Sequence, residues 1–204
     1  AQFAKWRAVI KIGSDMPSGY AIHTNAHALA RYAKICQEGG LVPIVEPEVL
    51  MDGDHDIEIC QHVTEETLNA VFGEIYAQGV ELEGMILKPN MVIPGSDCAD
   101  PIDTLEIAER TVATLKRCVP ASVPGIMFLS GGQSEADATL NLNTMNAQNR
   151  NLPWKLSYSY GRALQASALQ AWKGNKDNVA SAQNALTLRA KLNSEACMGN
   201  YLGE

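Results

Sequence analysis

Residues 41–49 read LVPIVEPEV and residues 83–91 read EGMILKPNM, two short and mainly apolar runs that also carry charged residues. Apolar runs without strict alternation are typical of strands that are buried on both faces, as in parallel sheets. Three further runs have the same character. The sequence therefore predicts five strands, at 6–12, 41–48, 84–91, 125–131 and 155–160.

Longer amphipathic stretches lie between and after these strands and predict helices at 23–38, 64–78, 104–118, 134–146, 161–172 and 176–193. Thr64 and Ser134 are candidate N-caps, and Gly39 with Gly40 is a candidate end for the first helix. The alternation of strand and helix predicts right-handed βαβ units and a parallel α/β sheet. No stretch resembles a linker, so we expect residues 1–204 to form a single domain.

Two parallel architectures are compatible with this pattern, an open doubly wound sheet and a (β/α)₈ TIM barrel. No GxGxxG motif follows a strand, so the dinucleotide-binding form of the open sheet has little support. A complete barrel needs eight strands and typically about 250 residues. If the fold is that barrel, the chain contains only part of it.

Charged residues occur inside the strands, on shared faces. Because side chains alternate along a strand, Lys5 and Arg7 project to one side, and so do Glu46 and Glu48. Lys88 lies near the end of its strand. Each charge alone could mark a strand end in water, but buried charges must pair or do chemistry. Active sites of parallel α/β folds lie at the carboxyl ends of strands, which favours a functional site here.

This set of residues fits imine chemistry. A lysine amine attacks a ketone only in its neutral form, which desolvation or a second cation favours. We predict that Lys88 is the nucleophile and that Lys5 supplies the second cation. Imine formation expels water, and a carboxylate can deliver the required proton, with Glu46 and Glu48 as candidates. The resulting iminium withdraws electrons, so that an adjacent carbon–carbon bond can be cleaved.

The ends of the last two strands are suited to an anion. Ser130, Gly131 and Gly132 precede a helix start, where backbone N–H groups can bind phosphate. Gly161 permits close approach, and Arg162 offers a bidentate guanidinium. Barrels often place a phosphate site after strands seven and eight. On that basis the visible strands are numbers four to eight.

These motifs resemble those of one family. FAKWR, LVPIVEPE, EGMILKPNM, FLSGGQSE and SYGRALQ occur in this order in class I, Schiff-base fructose-bisphosphate aldolases. The resemblance covers essentially the whole chain. It implies a TIM barrel, usually a homotetramer, that cleaves fructose 1,6-bisphosphate reversibly to dihydroxyacetone phosphate and glyceraldehyde 3-phosphate. It also implies no metal or other cofactor, since Lys88 forms the covalent imine.

The resemblance also implies roles for individual residues. Glu46 is the main proton-transfer group, Glu48 supports the site and holds the neighbouring lysines, and Lys5 assists the imine chemistry. Arg7 lies toward the far phosphate. The phosphate next to the ketone is expected at Ser130, Gly131, Gly132, Gly161 and Arg162.

The chain departs from the family pattern at both ends. The family's first three strands and its C-terminal tail are missing, so we expect a fragment or a partly determined sequence. A transaldolase or another Schiff-base lyase is the alternative among enzymes. A catalytically silent, interaction-only form is the alternative outside them.

The composition of the chain indicates which binding partners and which cellular location to expect. The net charge of −7 argues against a nucleic-acid surface, and no apolar run approaches the roughly 20 residues of a membrane helix. Five cysteines without a CxxC pair indicate reduced thiols in an intracellular protein, with the cytoplasm expected and a plastid open. A calcium loop at 52–63 is rejected because Ile57 and Val63 occupy the required glycine and glutamate positions. We expect a surface or packing role for His23 and His27.

Overall fold

A computed structural model describes residues 1–100 and 102–204 and contains a five-stranded sheet in which each pair of neighbouring strands is parallel. The strands follow one another across the sheet in chain order. They are β1 (Phe3–Ile10), β2 (Val42–Val49), β3 (Ile86–Leu87), β4 (Gly125–Phe128) and β5 (Lys155–Tyr158). The prediction of five parallel strands is confirmed.

Six α-helices accompany the sheet within the residues that the structure describes. They are α1 (Gly19–Glu38), α2 (Ile57–Ala77), α3 (Thr104–Cys118), α4 (Glu135–Gln148), α5 (Arg162–Trp172) and α6 (Val179–Cys197). Short 3₁₀ turns precede β3 at Leu82–Gly84 and α6 at Lys176–Asn178. None of the helices in the described part of the chain is both long and apolar enough to span a membrane.

Strand order separates the two architectures that the sequence left open. A right-handed crossover between neighbouring strands places its helix on one particular face of the sheet. When every crossover moves in the same direction, all helices lie on the same face, whereas a doubly wound sheet reverses direction at a switch point. The order β1-β2-β3-β4-β5 has no reversal. The sheet is therefore an arc of a (β/α)₈ barrel, as predicted.

The core lies between this arc and its helices. One row of register partners crosses four strands, from Val45 through Leu87 and Ile126 to Leu156. All four side chains belong to the main hydrophobic cluster and are no more than 4% exposed. Burying a side chain of this kind contributes about 1.5–3 kcal/mol. The opposite face of the sheet carries the predicted site.

Helix starts are set by local capping. The side chain of Ser134 accepts a hydrogen bond from Asp137 N at 3.0 Å, as the sequence predicted. The prediction that Thr64 caps the second helix is wrong. Asp56 caps it by accepting from Ile59 N at 2.8 Å, and Thr64 lies buried in the middle of α2. A carboxylate near a helix N-terminus is favoured by the helix dipole, which accounts for Asp56.

The predicted strand at 84–91 is shortened to Ile86–Leu87. Its backbone remains tied to both neighbours, since Lys88 N donates to Val45 O at 2.8 Å and Leu129 N donates to Pro89 O at 3.1 Å. Pro89 has no N–H, so it cannot extend the regular ladder. Beyond Pro89, the contact with β2 is made by a side chain instead of the backbone, because Asn90 Oδ1 accepts a hydrogen bond from Val49 N at 3.0 Å.

Candidate active site

Glu46 lies between two lysines on the face of the sheet away from the helices. Its Oε1 is 3.0 Å from Lys88 Nζ, and its Oε2 is 3.0 Å from Lys5 Nζ. The Glu46 side chain is 4% exposed and that of Lys88 is 12% exposed, whereas Lys5 is 44% exposed. One buried carboxylate therefore bridges the partly buried amine of Lys88 and the accessible amine of Lys5.

The strand register brings these three residues together. Lys5 lies opposite Ile44, two residues before Glu46, and its side chain reaches forward along β2. This direction agrees with the tendency of strand side chains to lean along the strand. On the other side, the hydrogen bond from Lys88 N to Val45 O fixes Lys88 beside Glu46. The lysine is thus held by its own backbone at the carboxyl end of the sheet.

Both amines contact the Glu46 carboxylate at the same distance, 3.0 Å. Glu46 Oε2 is buried and receives no hydrogen bond of favourable angle from any residue in the described ranges, although Lys5 is at ion-pair distance. The acceptor capacity of Oε2 is therefore not filled by hydrogen bonds from the described residues. A buried carboxylate with spare acceptor capacity beside an amine is suited to moving protons.

Glu48 forms its ion pair and hydrogen bond with Arg7. The hydrogen bond to Glu48 raises the pKa of Arg7 above its ordinary value. The family resemblance implied that Glu48 holds the lysines, but in this structure Glu46 does so. The reason is the direction of the side chains along β1. Arg7 lies opposite Glu46, but its side chain points toward the carboxyl end of the sheet and reaches Glu48, two residues further along β2.

The predicted phosphate-binding residues converge after β4 and β5. Gly131 and Gly132 have φ values of 57° and 89°, a conformation that favours glycine. A Cβ added at Gly132 would lie 3.8 Å from Arg162 Nη2 and 3.0 Å from Met51 Sδ. Gly161 is the N-cap of α5, and Arg162 is exposed at its first position. Ser130 is buried two residues after the end of β4.

Sequence reasoning missed Asn90 as a supporting residue. Asn90 is 5% exposed, accepts from Val49 N and donates to Thr64 Oγ1 at 3.1 Å. It thereby connects the segment after Lys88 to β2 and α2. The sequence did contain a signal for this role. Asn90 is a polar residue that directly follows Lys88 and Pro89 in a mainly apolar run, and a polar side chain that is buried there needs hydrogen-bond partners.

The weaker sequence signals have structural explanations. His23 and His27 contact the Glu74 carboxylate at 3.7 and 3.0 Å, which stabilises the exposed surface between α1 and α2. Hydrogen bonds from Gln78 and His27 lower the pKa of Glu74. Within residues 1–100 and 102–204 no group of three or more His, Cys, Asp or Glu side chains could hold a metal ion. All five cysteines are free thiols.

Comparison with known proteins decides the family. The model of the class I fructose-bisphosphate aldolase family matches residues 1–204. The chain belongs to this family. A cytosolic fructose-bisphosphate aldolase 4 of Arabidopsis thaliana is 58% identical over 204 residues, which are 100% of this chain and 52% of the relative. Fructose-bisphosphate aldolase B of Gallus gallus is 58% identical over 202 residues, 99% of this chain and 56% of the relative.

A solved aldolase has the same fold. The structure of fructose-bisphosphate aldolase from Plasmodium falciparum, in complex with TRAP and a small-molecule inhibitor, superposes with a TM-score of 0.97 at 51% identity. The match covers 100% of this chain and 59% of that aldolase chain. The chain thus spans between about half and three fifths of the length of these aldolases.

Proposed function

We propose that the protein is a class I fructose-bisphosphate aldolase in which Lys88 forms a Schiff base with the ketone of the substrate. The observation that carries this proposal is the contact of Lys88 Nζ with the buried carboxylate of Glu46 at 3.0 Å, with Lys5 on the other carboxylate oxygen. Membership of the aldolase family supports the same reading. The reaction is the reversible cleavage of fructose 1,6-bisphosphate to dihydroxyacetone phosphate and glyceraldehyde 3-phosphate.

In the first half of the reaction, a proton moves between Lys88 and Glu46 while the imine forms. Lys88 gives up a proton to Glu46, and its nitrogen lone pair adds to the ketone carbon. The carbinolamine then loses its hydroxyl as water when Glu46 returns the proton, and an iminium remains. Lys5 stabilises the carboxylate form of Glu46 from the opposite oxygen. Because a covalent imine accepts the electrons, no cofactor is assigned.

The second half breaks the carbon–carbon bond. The Glu46 carboxylate takes the proton of the hydroxyl on the far side of the bond, the aldehyde leaves, and the electron pair moves into the iminium to give an enamine. Proton return to carbon and hydrolysis of the imine release the ketone phosphate and regenerate Lys88. Glu46 suits both transfers because its Oε2 receives no hydrogen bond of favourable angle from the described residues.

The two phosphates are assigned to opposite parts of the site. The phosphate next to the ketone binds the backbone at Ser130, Gly131 and Gly132, with Gly161 and Arg162 on the neighbouring strand end. Arg7 faces the far phosphate, and its guanidinium is oriented by Glu48. Since a monophosphate lacks one of these contacts, the bisphosphate should be preferred.

A cellular location and an assembly state are also part of the proposal. Three plant relatives are named cytosolic or cytoplasmic, which supports a cytoplasmic enzyme. The family resemblance supports a homotetramer, and sedimentation equilibrium of the full-length protein measures it. Residues 1–204 are proposed to belong to one domain, the barrel.

Borohydride trapping tests the proposal. The full-length protein is incubated with dihydroxyacetone phosphate, reduced, digested and mapped by mass spectrometry, and cleavage of fructose 1,6-bisphosphate is assayed in parallel. We expect the adduct on the peptide that contains Lys88, and we expect Lys88→Met to lose both adduct and cleavage. Lys155→Met is the matched control, because Lys155 is exposed at the first residue of β5, the opposite end of the sheet. Cleavage activity retained by Lys88→Met would disprove the mechanism.

A further inference from the structure

The two segments assigned to the ketone-side phosphate lie beyond the point where β4 and β5 pair regularly. The ladder ends with Phe128 opposite Tyr158, and one further bond joins Ser159 N to Phe128 O at 2.8 Å. Gly132 comes after these residues, three positions before α4, and Arg162 is the first residue of α5. Their separation therefore depends on how the two helices are fixed to each other.

Glu135, the first residue of α4, makes that connection. Its carboxylate accepts hydrogen bonds from the backbone N–H of Ser167 at 3.0 Å and from the Ser167 hydroxyl. Ser167 lies in the second turn of α5, five residues after Arg162. Hydrogen bonds to a charged acceptor are among the strong ones, and one of these two donors belongs to the backbone of α5 itself.

The backbone of Glu135 is held from a third helix. Its carbonyl oxygen accepts from Arg189 Nη2 of α6 at 2.7 Å, and the same Arg189 nitrogen also donates to Thr139 Oγ1 at 2.6 Å. The Arg189 side chain is 3% exposed. Glu135 thus has its carbonyl fixed to α6 and its carboxylate fixed to α5, three residues after Gly132.

We propose that Glu135 is a positioning residue that sets the spacing between the Gly131–Gly132 backbone and the Arg162 guanidinium, and so determines affinity for the phosphate next to the ketone. The inference rests on the proposed function. Glu135 acts through Ser167 and α5 and is assigned no contact with substrate. Because α4 and α5 start at the two halves of the phosphate site, a shift between the helices changes the distance across it.

A pair of ketones separates positioning from general structural damage. Imine trapping is measured in the full-length protein as a function of concentration with dihydroxyacetone phosphate and with dihydroxyacetone, which lacks the phosphate. Glu135→Ala removes the acceptor, whereas Glu135→Gln keeps an oxygen of the same reach. Glu109→Ala is the control, because Glu109 is exposed on α3 and makes no hydrogen bond or ion pair among the interactions of the described residues.

For Glu135→Ala we expect the half-saturating concentration of dihydroxyacetone phosphate to rise about tenfold, the effect of losing one net charged hydrogen bond. The maximal trapping rate should stay within about twofold of wild type, since the chemistry at Lys88 is unchanged. Trapping of dihydroxyacetone should not change, and Glu135→Gln should recover most of the affinity.

Three outcomes would overturn the inference. Unchanged affinity of Glu135→Ala for dihydroxyacetone phosphate contradicts the positioning role. Equal weakening with both ketones shows a general structural role. Wild-type protein that forms no adduct with either ketone disproves the proposed function itself, so the two failures are distinguishable.

Discussion

Arg7 bonds to Glu48, a residue that lies two positions beyond its register partner on the neighbouring strand. Lys5 shows the same offset, because it lies opposite Ile44 and contacts Glu46. Both cations lean toward the carboxyl end of the sheet, where the site is assigned. The direction of side chains along β1 therefore decides which glutamate each cation neutralises.

Replacing Arg7 should destabilise the protein because the carboxylate of Glu48 would lose its partner. Glu48 is 8% exposed on its side chain, and Arg7→Met leaves its carboxylate without this partner. Since Arg7 is itself 46% exposed, we expect a loss of about 1–3 kcal/mol in the free energy of unfolding rather than the full value of a buried pair. Urea denaturation of the full-length protein measures it.

A double-variant cycle checks the origin of that loss. Glu48→Gln removes the charge that Arg7 neutralises, so Arg7→Met should cost less in its presence. Additive effects of the two substitutions would show that the pair does not contribute as a unit.

Glu46→Gln should abolish proton transfer while keeping the shape of the side chain. We expect kcat for cleavage of fructose 1,6-bisphosphate to fall about 10²–10⁴-fold, the usual contribution of a positioned general acid–base group. Steady-state kinetics measure kcat, and circular dichroism monitors the fold. Glu38→Gln, on the exposed end of α1, is the control. A kcat equal to wild type would remove Glu46 from the proton-transfer role.

His55 should make stability depend on pH. Burial lowers its pKa below 6.5, against the opposing effect of Asp54 and Asp56. The unfolded chain therefore takes up a proton near pH 6.5 that the folded protein still excludes. Stability should consequently fall as the pH drops below about 6.5 and continue to fall until the folded-state pKa is passed.

Replacing His55 by glutamine tests this pH dependence. The free energy of unfolding of His55→Gln should change less between pH 7.5 and pH 5.5 than that of wild type, measured by urea denaturation. The control variant His62→Gln makes the same substitution at an exposed histidine of α2. Parallel profiles for wild type and His55→Gln would rule out His55 as the cause.

Cys118 should be unreactive in the native protein. Burial raises the pKa of its thiol to about 11, so almost no thiolate is present at pH 8. We expect iodoacetamide to leave Cys118 unmodified under native conditions and to modify it in urea, as measured by peptide mass spectrometry. Rapid native labelling would show that α3 opens locally on the timescale of the reaction.

The sequence was sufficient to predict features that depend only on neighbouring residues. The helix at 104–118 and the Ser134 cap were predicted correctly because the capping side chains lie next to the elements that they start. Thr64 was predicted as a cap because two glutamates follow it, yet α2 begins at Ile57. Threonine and valine side chains at 63–64 are buried against neighbouring elements, and this packing outweighs the local capping pattern.

The candidate residues were likewise identifiable, but their partners were not. Charged residues in apolar strands identified Lys5, Arg7, Glu46, Glu48 and Lys88. The pairing of carboxylates with cations depends on the offset between β1 and β2. No local sequence pattern indicates this offset. Glu135 was unremarkable in sequence, because its contacts with Ser167 and Arg189 join residues 32 and 54 positions away.

The sequence by itself determined the parallel α/β class, the family and the set of residues in the candidate site. Hydrophobic periodicity and conspicuous charges are local properties of the chain, so they can be read without coordinates. Only the tertiary structure decided that Glu46 bridges Lys5 and Lys88, that Glu48 pairs with Arg7, and that α4 and α5 are joined through Glu135. Those contacts depend on strand register and helix packing, which are set by the whole core rather than by any one segment.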